Sequence, residues 1–273
     1  MLEALKKNQD QAKDQAAGLR HLFRRRPTRI MAFASAGVPG AAQVIARCAQ
    51  ALTAQQRVAV VMDERGGAES IAAALGLATR FDLLQVINSD LPLRRVLLQA
   101  SENLSVLPAA RAAPLFNRLD RRQRAVFADN MRILCDSADF ICVAAARSSD
   151  GSELSPLLLA AQQLVIVAGS GAAAVTDSYA LIKRVVRQST LHQIQIIVTG
   201  ARDEIEARDI YANLRDVAQR HLQVSPRWLG WLADAGQENY LQQIDDCVDQ
   251  LTQADGESSV RNSNLLHNLP HFA

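Results

Sequence analysis

Residues 29–52 read Arg29-Ile30-Met31-Ala32-Phe33-Ala34-Ser35-Ala36-Gly37-Val38-Pro39-Gly40-Ala41-Ala42-Gln43-Val44-Ile45-Ala46-Arg47-Cys48-Ala49-Gln50-Ala51-Leu52, and three local structures follow one another within them. Arg29–Ala34 is a short, nearly all-apolar run, the pattern of a strand buried on both faces. Ala34–Ala42 carries Gly37 and Gly40, which permit a tight turn. From Ala41 to Leu52 the apolar residues Val44, Ile45, Cys48, Ala49 and Leu52 recur at helical spacing on one face. Strand, glycine turn and helix in immediate succession are the opening unit of an α/β sheet.

The same alternation continues outward. Apolar runs at Arg57–Met62, Leu104–Leu107, Phe140–Ala144, Leu164–Ala168 and Gln195–Thr199 predict further strands. Arg122–Cys135 and Asp177–Gln188 show helical spacing between them. Strands apolar on both faces need helices on both sides, so the expected fold is a doubly wound α/β domain with a mostly parallel sheet. Three segments are expected: a polar, helix-like arm and basic linker over 1–27, the α/β body over 28–253, and a tail over 254–273. The tail opens on a Ser-, Asp-, Gly- and Asn-rich stretch that reads as a flexible linker.

Composition narrows the class. Hydrophobic residues make up 49% of the 273, yet aromatics only 4%, so the core is built from Ala, Val, Leu and Ile rather than from rings. That balance excludes a disordered chain or a disulfide scaffold. The longest apolar runs, Leu157–Ala161 and Leu164–Ala168, fall well short of the roughly 20 residues of a membrane span. The N-terminus is charged and polar, unlike a secretion signal. Cys48, Cys135, Cys142 and Cys247 lie too far apart for a CxxC metal pair, and the five histidines do not cluster. A reducing cytoplasm without structural disulfides or zinc is the expectation. Cys142, inside Phe140–Val143, reads as a buried hydrophobe.

A net charge of +2 conceals an asymmetry. Residues 1–30 carry eight Lys or Arg against three acids, a net of +5, and the remainder carries −3. The arm ends in Arg24-Arg25-Arg26, which reads either as a solvated linker or as a contact for an acidic partner. No base-reading motif accompanies it, so no sequence-specific nucleic acid is expected.

The turn after the first strand is where an open α/β sheet binds its ligand, because backbone amides and a helix N-terminus converge there on an anion. A working phosphate loop also needs a Lys on the phosphates and a Ser or Thr hydroxyl on magnesium. The loop ends Gly40-Ala41-Ala42 and offers neither. Its glycine spacing also fails the dinucleotide pattern G-x-G-x-x-G.

Four stretches carry a family resemblance: Asp14-Gln15-Ala16-Ala17-Gly18-Leu19-Arg20, Ala36–Ala42, Val60-Val61-Met62-Asp63, and Val175-Thr176-Asp177-Ser178-Tyr179-Ala180-Leu181-Ile182-Lys183. From about residue 10 to 235 the chain resembles the MinD/ParA-type deviant Walker ATPases, and among them the FlhG/FleN-type flagellar number regulators. The first stretch matches that family's DQAxxLR motif, and the second aligns without a gap to the deviant Walker A sequence KGGVGKT. The third falls where the family has a strand ending in aspartate, and the fourth matches its ITDAYALIK segment. The resemblance implies a P-loop NTPase fold of MinD type.

The departures are informative. The family's signature Lys falls on Ala36, its phosphate-binding Lys on Ala41 and its magnesium-binding Thr on Ala42. The second Asp of its DxD element falls on Arg65, the Walker B Asp on Ala144, and an adenine-reading Asn on Thr199. Phosphoryl transfer is almost entirely positioning and charge neutralisation, so losing these groups together points to a pseudo-ATPase. The resemblance then implies no resident cofactor. Weak ATP or ADP binding through backbone at Gly37 and Gly40 is the most that the relic loop offers.

What the resemblance leaves intact is the arm. In this family the DQAxxLR helix binds and stimulates the FlhF-type GTPase, which assigns the partner-activating role to Asp14, Gln15, Ala16, Leu19 and Arg20. Gln15 would orient the attacking water, while Leu19, Leu22 and Phe23 offer an apolar edge. The family also engages a FleQ-type regulator and flagellar C-ring proteins through ATP-dependent dimers. Leu265, Leu266, Leu269 and Phe272 form a short apolar patch interrupted by Pro270, and residues 241–273 carry a net of −4. Stable membrane anchoring is therefore not expected. The expected setting is the cytoplasm, with recruitment to the cell pole by partners. Two alternatives stand beside this reading: a residually active ATPase with a remodelled site, and a ParA/MinD-type positioning regulator with no flagellar role.

Overall fold

The computed structural model describes residues 27–146, 154–189 and 193–253. In chain order the strands are β1 (Arg29–Ser35), β2 (Ala59–Asp63), β3 (Leu98–Ser101), β4 (Leu104–Pro108), β5 (Phe140–Ala144), β6 (Gln163–Gly169), β7 (Gln193–Thr199) and β8 (Arg227–Leu232). The α-helices are α1 (Ala41–Leu52), α2 (Ile71–Ala74), α3 (Leu83–Ile87), α4 (Leu93–Val96), α5 (Arg121–Ser137), α6 (Pro156–Ala160), α7 (Ala172–Gln188), α8 (Glu204–Leu222) and α9 (Tyr240–Gln253). One eight-stranded sheet runs β3-β4-β2-β5-β1-β6-β7-β8. All pairings are parallel except β3 with β4.

Two-sided burial organises the sheet. Every residue of β2, β5 and β6 is buried, and β1 is buried from Met31 onward. On one face Ala32, Ala34, Val60, Met62, Ile141, Val143 and Ile166 pack under α3 to α8. On the other, Met31, Phe33, Val61, Cys142, Val165 and Val167 pack under α1, α2 and α9. The sequence-based strands fall inside or within two residues of the observed ones, and α1 has the expected limits.

Local chemistry sets several helix starts. Asp82 with Gln85, and Asp120 with Gln123, form reciprocal capping boxes at α3 and α5, and the Asp203 carboxylate caps α8. Helix α7 begins at Ala172, five residues ahead of the expected Asp177. The Thr176–Lys183 motif therefore lies inside it, with Ser178, Leu181 and Ile182 inward and Thr176 and Asp177 toward the outer face. All four cysteines are free, and Cys142 is fully buried in β5.

Strands β3 and β8 close the two edges. Between β7 and β8 the register passes from Ile196↔Trp228 to Ile197↔Gly230, which leaves Leu229 as a bulge. Gly230 has φ of 156°, and a Cβ there would lie 2.4 Å from the Cys247 Sγ on α9. Gly230→Ala is expected to cost about 2 kcal/mol, lowering the melting temperature by about 5 °C. The losses in the double variant Gly230→Ala/Cys247→Ala are expected to be less than additive, because removing the sulfur makes room for the new methyl group. Additive losses by thermal denaturation would show that the Sγ contact is not the cause.

Candidate functional site

Because β1, β2 and β5 are parallel neighbours, they end together. Phe33 pairs with Ala144 across β1 and β5, and Asp63 with Ala144 across β2 and β5. The loop from Ser35 leaves this edge and enters α1 through Gly37 and Gly40, at φ of 66° and 76°. Only glycine adopts such values without strain. The fold thus brings Ala36, Gly37, Gly40, Ala41, Ala42, Arg65 and Ala144 to one end of the central strands. Thr199 ends β7, two strands further along the sheet.

The loop has the shape of a phosphate cradle without its chemistry. Ala41 and Ala42 are buried, so methyl groups occupy the positions at which the family's Lys and Thr would begin. Pro39 has no N–H to offer an anion. The Val38 side chain is turned inward against Gly169.

Facing the loop are three consecutive buried charges, Asp63, Glu64 and Arg65, only 1%, 2% and 5% exposed. One Asp63 carboxylate oxygen accepts the Arg65 amide and the other the Ala72 amide of α2, both at 3.1 Å. The Asp63 carbonyl accepts the Ala109 amide beyond β4 at 2.7 Å. Burial pushes the Asp63 carboxyl up to about 6, against the pull of these amide donors.

Glu64 turns the other way. One of its carboxylate oxygens accepts the Ser155 hydroxyl and the other the Ala146 amide at 3.3 Å. Ser155 also caps α6, accepting the Leu157 amide. Burial pushes the Glu64 carboxyl up to about 7; the Ser155 and Ala146 hydrogen bonds oppose the rise and the neighbouring Asp63 charge adds to it.

Arg65 reaches back to the loop. Its Nη1 donates to the Ser35 Oγ at 3.1 Å, Nε to the Glu69 carbonyl at 3.0 Å and Nη2 to the Glu69 carboxylate at 3.4 Å. Its side chain is buried while that of Glu69 is half exposed, so the ion pair itself is partly screened. In the sequence Arg65 reads only as a lost carboxylate; the structure shows a guanidinium turned onto the end of β1. Sequence reasoning does not pick out Glu64, Ser35 or Ser155 at all. The available signal is the run Asp63-Glu64-Arg65 directly after an apolar strand.

These residues do not fit a magnesium–nucleotide group. Alanine stands at Ala41 and Ala42, proline lies in the cradle, and the nearest guanidinium is bonded to Ser35. Among the described residues no group of three or more His, Cys, Asp or Glu could hold a metal ion.

Asp14, Gln15, Ala16, Leu19 and Arg20 lie outside the described residues, as do the tail hydrophobics Leu265, Leu266, Leu269 and Phe272. The root of the arm is described. Thr28 Oγ1 donates to the Cys135 and Ala138 carbonyls, the latter at 2.8 Å. The Arg29 guanidinium donates to the Leu251 and Thr252 carbonyls at the end of α9, both at 3.0 Å. This root is the N-terminal end of β1. At about 3.3 Å per residue it lies about 20 Å from Ser35.

No family model matches the sequence. The antiactivator FleN of Pseudomonas aeruginosa is 28% identical over 194 residues, covering 71% of this chain and 69% of that protein. The MinD cell division protein of Aquifex aeolicus shares the fold with a TM-score of 0.61 at 16% identity, over 83% of this chain and 97% of that one. A putative plasmid partition protein from Borrelia burgdorferi, solved bound to AMPPNP, gives 0.62 at 15% identity, over 84% and 100%. The sheet order and the loop after β1 accordingly give this chain the P-loop NTPase fold seen in MinD and the plasmid partition protein. Within that fold its sequence resembles that of FleN.

The two raised carboxyls make stability depend on pH. A folded-state pKa above the unfolded value means that the folded protein binds more protons, so this contribution is complete below the unfolded pKa and lost as pH rises through the folded one. For Glu64 the window runs from its ordinary 4.5 to about 7, a loss on the order of 3 kcal/mol. Glu64→Gln removes that titration. Its melting temperature relative to wild type is therefore expected to climb between pH 5 and pH 8. A constant difference across that range, measured by thermal denaturation, would show that Glu64 does not titrate there.

Proposed function

We propose that this chain is a FlhG/FleN-type regulator of flagellar number or placement that works through protein contacts and not through ATP hydrolysis. Its active element is the Asp14–Arg20 motif, which stimulates an FlhF-type GTPase, with Gln15 orienting the attacking water in the partner's site. Asp14, Ala16, Leu19 and Arg20 hold the motif in register, and Leu19 with Leu22 and Phe23 supplies the apolar docking edge.

The observation that carries this reading is the contrast between the two halves of the resemblance. The arm motif keeps every residue of DQAxxLR, whereas the loop has lost each charged group that phosphoryl transfer needs. The arm's root, at the opposite end of β1 from the loop, supports an activity independent of a nucleotide there. Binding of ATP or ADP, at most weak and through Gly37 and Gly40, has no part in it. The relative's description as an antiactivator supports a second contact, with a transcription activator of FleQ type; a C-ring protein is the further partner that the family resemblance implies. Among the described residues no helix is long and apolar enough to cross a membrane. Cytoplasmic placement with recruitment to the pole by partners fits that.

The test is a GTPase assay with FlhF and the full chain. Stimulation is expected without ATP, and Gln15→Ala is expected to reduce it by about tenfold or more. Undiminished stimulation by Gln15→Ala would overturn the assignment. A requirement for ATP would instead favour the remodelled-ATPase reading.

A further inference from the structure

In a working P-loop site, the bound phosphates and their cation are the common partner of the strand-end loops. Here those loops are joined by the chain itself. Asp63 ties the end of β2 to α2 through the Ala72 amide. Glu64 ties it to the segment after β5 through the Ala146 amide, and to the start of α6 through Ser155. Arg65 ties it to the end of β1 through Ser35, and to the Gly67–Glu69 turn. Three adjacent residues thus reach β1, α2, the start of α6 and the Gly67–Glu69 turn around the relic loop.

We propose that Asp63-Glu64-Arg65 is a built-in cross-tie that takes the place of bound nucleotide and cation, holding this end of the sheet in one arrangement and making the protein a constitutive rather than a nucleotide-switched member of its class. The proposal rests on the pseudo-ATPase reading and goes beyond it. Loss of catalytic groups alone would leave the strand ends without a common partner, whereas the cross-tie supplies one.

The chemistry of the three residues favours this over an ordinary turn. Burying consecutive charges is costly, and apolar residues of similar volume would often stabilise a turn better. A buried polar network with its groups partnered instead specifies a single arrangement. Arg65 is suited to the central position, because its planar fork donates along several directions at once. It does so here to a side-chain hydroxyl, a carbonyl and a carboxylate. A lysine carries the same charge without that geometry. The positive charge also comes from inside the fold, at a site whose relatives draw it from two lysines and a metal.

Hydrogen exchange on the full chain tests the idea. In wild type, exchange over residues 35–41 and 64–72 is expected to be the same with and without millimolar Mg·ATP. Arg65→Lys and Arg65→Ala are expected to speed exchange in both segments by about tenfold, the scale of one charge-assisted hydrogen bond, while β7 exchanges as before. Protection of residues 35–41 by Mg·ATP in wild type would overturn the proposal, because the loop would then still answer to its old ligand. So would unchanged exchange in the Arg65 variants, or acceleration extending equally to β7, which marks general destabilisation. Should Arg65→Ala fail to fold, Arg65→Lys and Ser35→Ala decide the outcome. The measurement contains no GTPase, so failure of the arm assignment and failure of the cross-tie are read separately.

Discussion

Burial of the central strands on both faces is the constraint from which the other features descend. β1 lies between β5 and β6 and pairs with both in parallel, and from Met31 onward each of its residues is buried. Such a strand has no free side chain to devote to chemistry. Function is displaced to the strand ends, and parallel pairing gathers the C-terminal ends of β1, β2 and β5 along one edge. The hydrophobic effect that builds the core thus also chooses the place of the site. It does so whether or not the loop keeps its catalytic residues.

That separation explains how the fold stands without the Lys and the Ser or Thr of a working phosphate loop. The core under α3 to α8 and the core under α1, α2 and α9 are made by apolar residues of the sheet and its helices, and the strand-end loop adds only Val38, Ala41 and Ala42 to the second. Replacing Lys and Thr by Ala41 and Ala42 at the start of α1 adds two small, buried side chains, and alanine is the best helix former. Electrostatics at the strand ends is where the change is felt. The charges that remain there, Asp63, Glu64 and Arg65, are partnered by backbone amides, two hydroxyls and a carbonyl rather than left for a ligand.

Central elements are legible in the sequence and edge elements are not, for one physical reason. A strand buried on both faces announces itself as an apolar run, so Phe140–Ala144 reads with its observed limits. β3 and β8 each pair on one side only; β3 has no buried residue, and Arg227-Trp228-Leu229-Gly230-Trp231-Leu232 mixes exposed with buried residues and carries an arginine, a glycine and the Leu229 bulge inside its six residues. Helix α9 does carry a readable signal, since Tyr240, Ile244, Cys247, Val248 and Leu251 share one face at helical spacing. In the site, the missing groups are legible and the new contacts are not. Identity at position 65 tells that a carboxylate is absent. Where a long guanidinium points depends on the packing of β1 against its neighbours, which no local pattern encodes.

The geometry also separates the strand-end loop from the point where the arm joins the fold. Had the arm been rooted at the relic loop, changes there would have shifted the arm's starting point with them. It is rooted instead at the N-terminal end of β1. There Thr28 is bonded to the end of α5 and Arg29 to the final carbonyls of α9. Arg29 also lies over the Phe140 ring, its guanidinium carbon 5.7 Å from the ring centroid. These contacts involve none of the loop residues. Between the two ends stands β1, paired on both sides and buried from Met31 onward. On the proposed reading, a single strand thus carries the phosphate cradle without its chemistry at one end and the anchor of the arm at the other.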